Sequence, residues 1–235
     1  RRLQLGLDSM GLEQPTPVQE KMVPAVLSGK DLSVSAETGS GKTLAYLLPI
    51  IQQILSTEID RDAATLALIL VPTRELARQV LKECRQLTGK CPISVQAITG
   101  GADFKYQKSI FNKNPEVVVA TPGRLLEHAE KGSTDFSGLR TLVLDEADRM
   151  LDMGFREDVL KINDFCAADK QVLMLSATLQ HKALEGIAKT LMNQADIIDV
   201  GSVRAPHSNI FHQIILADNS KHKDNVLIAL MQQGG

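Results

Sequence analysis

Leu32-Ser33-Val34-Ser35, then Ala36-Glu37-Thr38-Gly39-Ser40-Gly41-Lys42-Thr43, then a helical pattern from Leu44 to Leu55, is the stretch from which this chain is read. A short apolar run that enters a glycine-rich turn and leaves as a helix aims successive backbone N–H groups into one concave spot. The helix N-terminus adds positive partial charge there, so the spot favours phosphate. Lys42 is placed to reach terminal phosphates, and the Thr43 hydroxyl to coordinate Mg²⁺. The general pattern is G-x-x-x-x-G-K-[ST]. This chain has Ala36 at the first glycine position, and Gly39 supplies flexibility inside the loop. Ala36, Glu37, Thr38, Gly39, Ser40, Gly41, Lys42 and Thr43 together are the expected phosphate cradle. The competing reading is an ordinary Gly/Ser turn with a chance Lys-Thr pair, and the rest of the chain weighs against it.

Working outward, short apolar runs recur at residues 32–35, 66–71, 93–98, 117–120, 142–144, 172–175 and 197–200. Most are nearly continuous rather than alternating, which suits parallel strands covered on both faces. Helical patterns lie between several of them. Leu76, Val80, Cys84 and Leu87 share one helical face, with Thr73 placed as the cap, and Leu44, Leu47, Leu48 and Ile51 share another. Pro49 predicts a kink or an early end in that second helix. Alternating strands and helices predict an α/β, doubly wound, mostly parallel sheet with helices on both faces.

Ligands of such sheets bind beyond the carboxyl ends of the strands. Just past the apolar runs stand the phosphate loop, Pro72-Thr73-Arg74-Glu75-Leu76-Ala77, Thr99-Gly100-Gly101, Thr121-Pro122-Gly123-Arg124, Asp145-Glu146-Ala147-Asp148 and Ser176-Ala177-Thr178. Each by itself is routine punctuation, a turn, a cap or a helix start. Six on one edge predict an extended functional surface. An apolar strand ending in acids, beside a phosphate loop, is the second half of a nucleoside triphosphate site. Asp145 would hold Mg²⁺ through water, and Glu146 would orient the attacking water.

Composition sets bounds. The chain has 235 residues, 43% hydrophobic and 23% charged, which suits one large α/β domain or one domain plus a fragment of another. A net charge of −2 and a pI near 6.2 carry no broad basic signature, so any nucleic-acid contact must be a local patch. Cys84, Cys91 and Cys166 have no metal-like spacing and suit reduced, buried thiols of a cytoplasmic protein. No secretion leader or membrane-length apolar run is expected. Both ends read as cut.

The order of these motifs closely resembles the DEAD-box family of ATP-dependent RNA helicases, in its bacterial type. The resemblance spans the first of the family's two RecA-like domains, about residues 11–200, and implies a RecA-like P-loop NTPase fold. It is carried by Asp145-Glu146-Ala147-Asp148 together with Pro-Thr-Arg-Glu-Leu-Ala, Thr-Pro-Gly-Arg and Ser-Ala-Thr. The family's phosphate loop also begins with Ala, as Ala36 does. The resemblance implies ATP as the nucleotide, with Mg²⁺. Residues 11–19 look like the adenine-reading motif, with Leu12, Gln14 and Gln19 at the base; the family usually has an aromatic where Leu12 stands. Lys42, Asp145 and Glu146 would be catalytic. Pro72, Thr73, Arg74, Glu75, Gly100, Gly101, Thr121, Pro122, Gly123 and Arg124 would hold RNA through phosphates and 2′-hydroxyls, independently of sequence. The helix that follows, with Leu125, Leu126 and His128, would bend the RNA strand. Ser176 and Thr178 would couple the two sites through Asp148. Residues 1–200 are thus expected as the ATP-binding domain, 201–209 as a linker, and 210–235 as the truncated start of a second RecA-like domain, which would act as partner in a monomeric protein. Two alternatives remain at this point: another P-loop motor or DNA-directed helicase, and a non-hydrolysing, nucleotide-gated RNA clamp.

Overall fold

The computed structural model describes residues 2–56, 65–177, 182–200 and 215–233. The chain divides into two compact units, Arg1–Ser202 and Val203–Gly235. The first is built on seven strands: β1 (Leu32–Ala36), β2 (Ala67–Leu70), β3 (Val95–Ile98), β4 (Val117–Ala120), β5 (Thr141–Leu144), β6 (Gln171–Ser176) and β7 (Asp196–Val200). They form one sheet in the order β3-β4-β2-β5-β6-β1-β7, with every pairing parallel. All seven expected strands are present within one or two residues of the apolar runs. The helices are α1 (Arg2–Ser9), α2 (Pro17–Leu27), α3 (Lys42–Ser56), α4 (Arg74–Thr88), α5 (Phe104–Phe111), α6 (Pro122–Glu130), α7 (Ala147–Asp152), α8 (Arg156–Asp164) and α9 (Lys182–Leu191).

Strand side chains alternate between two cores because the strand period is two. Val34, Ile69, Val119, Val143 and Leu173 face one core, with residues of α2, α3 and α4. Leu68, Leu70, Val118, Leu142 and Met174 face the other, with residues of α5 to α9. Both faces are therefore covered, which is why β2, β4, β5 and β6 read as unbroken apolar runs. The edge strand β7 is different: Ile197 is 75% exposed.

Pro49 does not end its helix; α3 continues to Ser56. Tyr46, Leu47, Ile50, Ile51 and Ile54 are all buried around it. Each contributes roughly 1.5–3 kcal/mol by burial, and together they outweigh the ~3 kcal/mol cost of an interior proline. Thr73 caps α4 as expected, its hydroxyl accepting from Leu76 N at 3.2 Å.

The described part of the second unit is α10 (Ser220–Gln233) with the residues leading into it, 215–219. Leu227, Ile228, Leu230 and Met231 on this helix are exposed. The expected linker at 201–209, and residues 210–214 of the expected second-domain start, lie outside the described residues.

Candidate nucleotide and RNA site

Because every strand of the sheet runs the same way, the loops after them share one edge. β1 ends at Ala36 and α3 begins at Lys42. Gly39 and Gly41 have φ of +81° and +91°, a region that side chains rarely adopt. At Gly41 space is short too: a Cβ would lie 2.7 Å from Gln19 Nε2 and 3.0 Å from Thr16 Oγ1. Lys42 is buried, and its ammonium donates to the carbonyls of Ala36 and, at 3.0 Å, Glu37. Burial holds its pKa down, against the opposing pull of Asp145, Glu146, Asp148 and Glu37. Ser40 Oγ donates to Glu37 O at 2.7 Å. Glu37, Thr38 and Gly39 are exposed, and Thr43 is half-buried at the helix start.

Gln19 is tied to this loop. Its Oε1 accepts from Thr16 N at 3.0 Å, and its Nε2 donates to Gly41 O at 3.2 Å. Gln14 is exposed, and Leu12 is 38% exposed.

Asp145 immediately follows β5 and is buried. Oδ2 accepts from the Tyr46 hydroxyl at 3.0 Å, and Oδ1 from Glu146 N at 3.0 Å. Burial raises its pKa to about 6, opposed by the Tyr46 bond and the Lys42 charge. Tyr46 is a site residue that the sequence reading missed. A buried tyrosine needs a partner for its hydroxyl, one turn after Lys42, and that requirement was the available signal. Glu146 sits in the left-handed region at φ 52°, an unusual conformation for a glutamate and one that clusters at functional sites. Its carboxylate meets Arg149 Nη1 at 3.1 Å.

No group of three or more His, Cys, Asp or Glu among the described residues could cage a metal. Mg²⁺ does not require one. It keeps several waters and takes one or two protein oxygens plus phosphate. The hard oxygen donors of Asp145 and Thr43 fit that ion.

Asp148 joins the next loop. Its Oδ2 accepts from Ala177 N at 3.1 Å, and its Oδ1 from Arg149 N at 2.9 Å. Among the described residues, the backbone of Ala177 ties the Ser-Ala-Thr segment to Asp148. Ser176 itself is fully buried at the end of β6. Thr178 lies outside the described residues.

On β2, β3 and β4 the loops form a groove of about 350 Å³. Pro72, Thr73, Arg74, Gly100, Thr121, Gly123 and Arg124 line it, joined by Met153 and Phe155 from the turn after α7. Gly101 has φ +85°, a backbone conformation that favours glycine, and the Arg74 guanidinium lies against this turn. Arg124 Nη1 donates to Ala102 O at 2.8 Å and to Gln107 Oε1 at 2.9 Å, and Nε meets Glu127 at 3.1 Å. Glu75, Gly101 and Pro122 are not among the lining residues; Glu75 pairs with Arg78 at 3.2 Å. In α6, Leu125, Leu126 and His128 are buried and face the core. Met153 and Phe155 carry no polar chemistry, and the sequence offered only Gly154 between them, at φ 82°, as a sign of a turn.

The profile of DEAD/DEAH box helicases matches residues 16–187. The chain is 37% identical over 227 residues to the ATP-dependent RNA helicase SrmB of Escherichia coli (strain K12), covering 97% of this chain and 51% of that protein. It is 36% identical over 225 residues to the DEAD-box ATP-dependent RNA helicase CshA of Geobacillus kaustophilus, covering 96% of this chain and 47% of that one. A crystal structure of a hypothetical ATP-dependent RNA helicase from Sulfolobus tokodaii superposes with a TM-score of 0.76 at 33% identity, covering 85% of this chain and 56% of that one. A parallel sheet with this likeness is the RecA-like fold of a helicase domain. The chain belongs to the DEAD/DEAH box helicase family, and it spans about half the length of SrmB and CshA.

Proposed function

We propose that this chain is the ATP-binding half of an RNA helicase, which hydrolyses ATP with Mg²⁺ and locally unwinds or remodels RNA duplexes when joined to a second RecA-like domain. The observation that carries the reading is the division of one sheet edge. Lys42, Asp145 and Glu146 stand off β1 and β5, and Arg74, Gly100, Thr121 and Arg124 off β2, β3 and β4.

Lys42 would transfer its donors from the carbonyls of Ala36 and Glu37 to phosphate oxygens. Gln19 spends one acceptor site and one donor on Thr16 and Gly41, and a carboxamide has one more of each for the adenine edge. Glu146 would orient the attacking water. Bound Mg²⁺, held by Thr43 and through water by Asp145, would neutralise phosphate charge. Arg74 and Arg124, with backbone N–H groups, would hold RNA phosphates and 2′-hydroxyls, and Asp148 would couple the two sites through residues 176–178. The second domain would supply arginine fingers, worth ~10³–10⁵ in rate in comparable NTPases. The place of work we assign is the cytoplasm, which the three free cysteines suit. Among the described residues no helix is long and apolar enough to cross a membrane.

The test is ATP turnover with and without single-stranded RNA, on this chain and on a protein joining it to the second domain. The chain alone is expected to bind ADP in preference to GDP and to hydrolyse only traces of ATP, insensitive to RNA. The two-domain protein is expected to be RNA-stimulated, and Glu146→Gln to stall it. Robust RNA-stimulated turnover by this chain alone would overturn the account.

A further inference from the structure

Gln107, on α5, is only 2% exposed, and the chemistry proposed above does not use it. Its carboxamide makes three contacts. Nε2 donates to Thr99 O at 2.8 Å, Oε1 accepts from Arg124 Nη1 at 2.9 Å, and Oε1 lies 3.3 Å from His128 Nε2. Chemistry fixes the protons of this cluster. A carbonyl only accepts and a guanidinium only donates, so the amide has one orientation; His128 must then carry its proton on Nε2. His128 is fully buried, its ring stacked on Phe104 at 4.0 Å, and its Nδ1 has no partner. The groups joined by Gln107 belong to two walls of the groove. Thr99 immediately precedes Gly100-Gly101, against which Arg74 lies, and Arg124 lines the groove from α6.

We propose that Gln107 is a positioning residue for the groove: from one buried carboxamide it holds the Gly100-Gly101 turn on one side and the Arg124 guanidinium on the other at a fixed separation. This rests on the reading of the groove as the RNA site. The role requires a donor and an acceptor on one short side chain. Glutamate keeps the acceptor and loses the donor; methionine has neither at that strength. Arg124 without the Gln107 acceptor would keep only Ala102 O and Glu127 as partners, and would be aimed less firmly at a phosphate.

The experiment uses this chain with Gln107→Met and Gln107→Glu. Binding of a fluorescent oligouridylate is measured at low ionic strength, ADP binding by calorimetry, and amide exchange across residues 99–102 without RNA. Losing one bond to a charged partner should weaken RNA binding on the order of tenfold in Gln107→Met. Exchange at 99–102 should quicken, with ADP affinity unchanged. Gln107→Glu, near-isosteric and expected to fold in any event, should fall between wild type and Gln107→Met for RNA while losing the protection at 99–102. Wild-type RNA affinity in either variant, unaltered exchange, or a parallel loss of ADP affinity overturns the positioning role and leaves the RNA reading standing. A wild-type chain that binds no oligouridylate overturns the RNA reading itself, and the proposal with it.

Discussion

The two halves of the sheet carry polar loops off the same edge but treat their charges in opposite ways. In the β5-β6-β1 half the groups are turned on one another: Lys42 on two carbonyls of its own loop, Gln19 on Gly41, and Tyr46 on Asp145. Lys42 and Asp145 are both buried there. In the β3-β4-β2 half Arg74 is exposed, and Arg124 stands at the wall of an open groove beside apolar Met153 and Phe155. Burial explains the contrast. A charge taken out of water must have partners, so the nucleotide half is a bonded network that a ligand has to re-pair. The Arg74 guanidinium, left at the surface, is satisfied by water until a phosphate arrives, whereas Arg124 already holds Ala102, Gln107 and Glu127. Substitutions in the first half should therefore alter stability as well as affinity, and substitution of exposed Arg74 chiefly affinity.

The largest expected effect is that of Lys42→Ala. Removing the ammonium should weaken ADP binding by at least about a hundredfold, because a charge-assisted contact to phosphate is lost. Oligouridylate binding to the groove should not change. Calorimetry and anisotropy on the same preparation measure both, and equal losses on the two sides would erase the distinction between the halves.

Tyr46→Phe tests the network in the absence of any ligand. Its hydroxyl is a buried donor to Asp145 Oδ2, and leaving that oxygen without it should cost about 1–3 kcal/mol of folding stability. Arg74→Ala, by contrast, should stay within about 0.5 kcal/mol, as an exposed substitution does. Urea unfolding of both variants sharpens the comparison; a fragile Arg74→Ala with a robust Tyr46→Phe would reverse it.

The smallest effect concerns His128, buried behind the groove. Burial, and then Arg124, lower the pKa of His128; Lys131 adds to this and Glu127 opposes it. The unfolded chain has the ordinary value of about 6.5. Between the folded pKa and 6.5 the unfolded state binds more protons, so this contribution is complete above 6.5 and is lost as the pH falls through the folded value. The slope in that window is at most about 1.4 kcal/mol per pH unit. His128→Gln keeps a donor toward Gln107 and should flatten that part of the stability profile between pH 5 and 8. A profile identical to wild type would show that His128 does not titrate between the two states.

The sequence by itself determined the seven strands, the phosphate loop and the acids after β5, because each follows from turn chemistry or hydrophobic period within a few residues. It also placed Thr73 as a cap. It could not determine what lies beside what. The bond from Tyr46 to Asp145 spans 99 residues, and it exists because β1 and β5 each pair with β6, which brings α3 and the end of β5 together. Tertiary packing likewise decides that α3 continues past Pro49, where an early end was one expectation, that Leu125, Leu126 and His128 turn inward because α6 covers a core, and that the backbone of Ala177 meets Asp148. Met153, Phe155 and Gln107 enter the groove or brace it only through packing. Local bonding is specified where the residues adjoin in sequence; partners distant in sequence are chosen by which surfaces must be hidden from water, and that choice belongs to the folded sheet and its two cores.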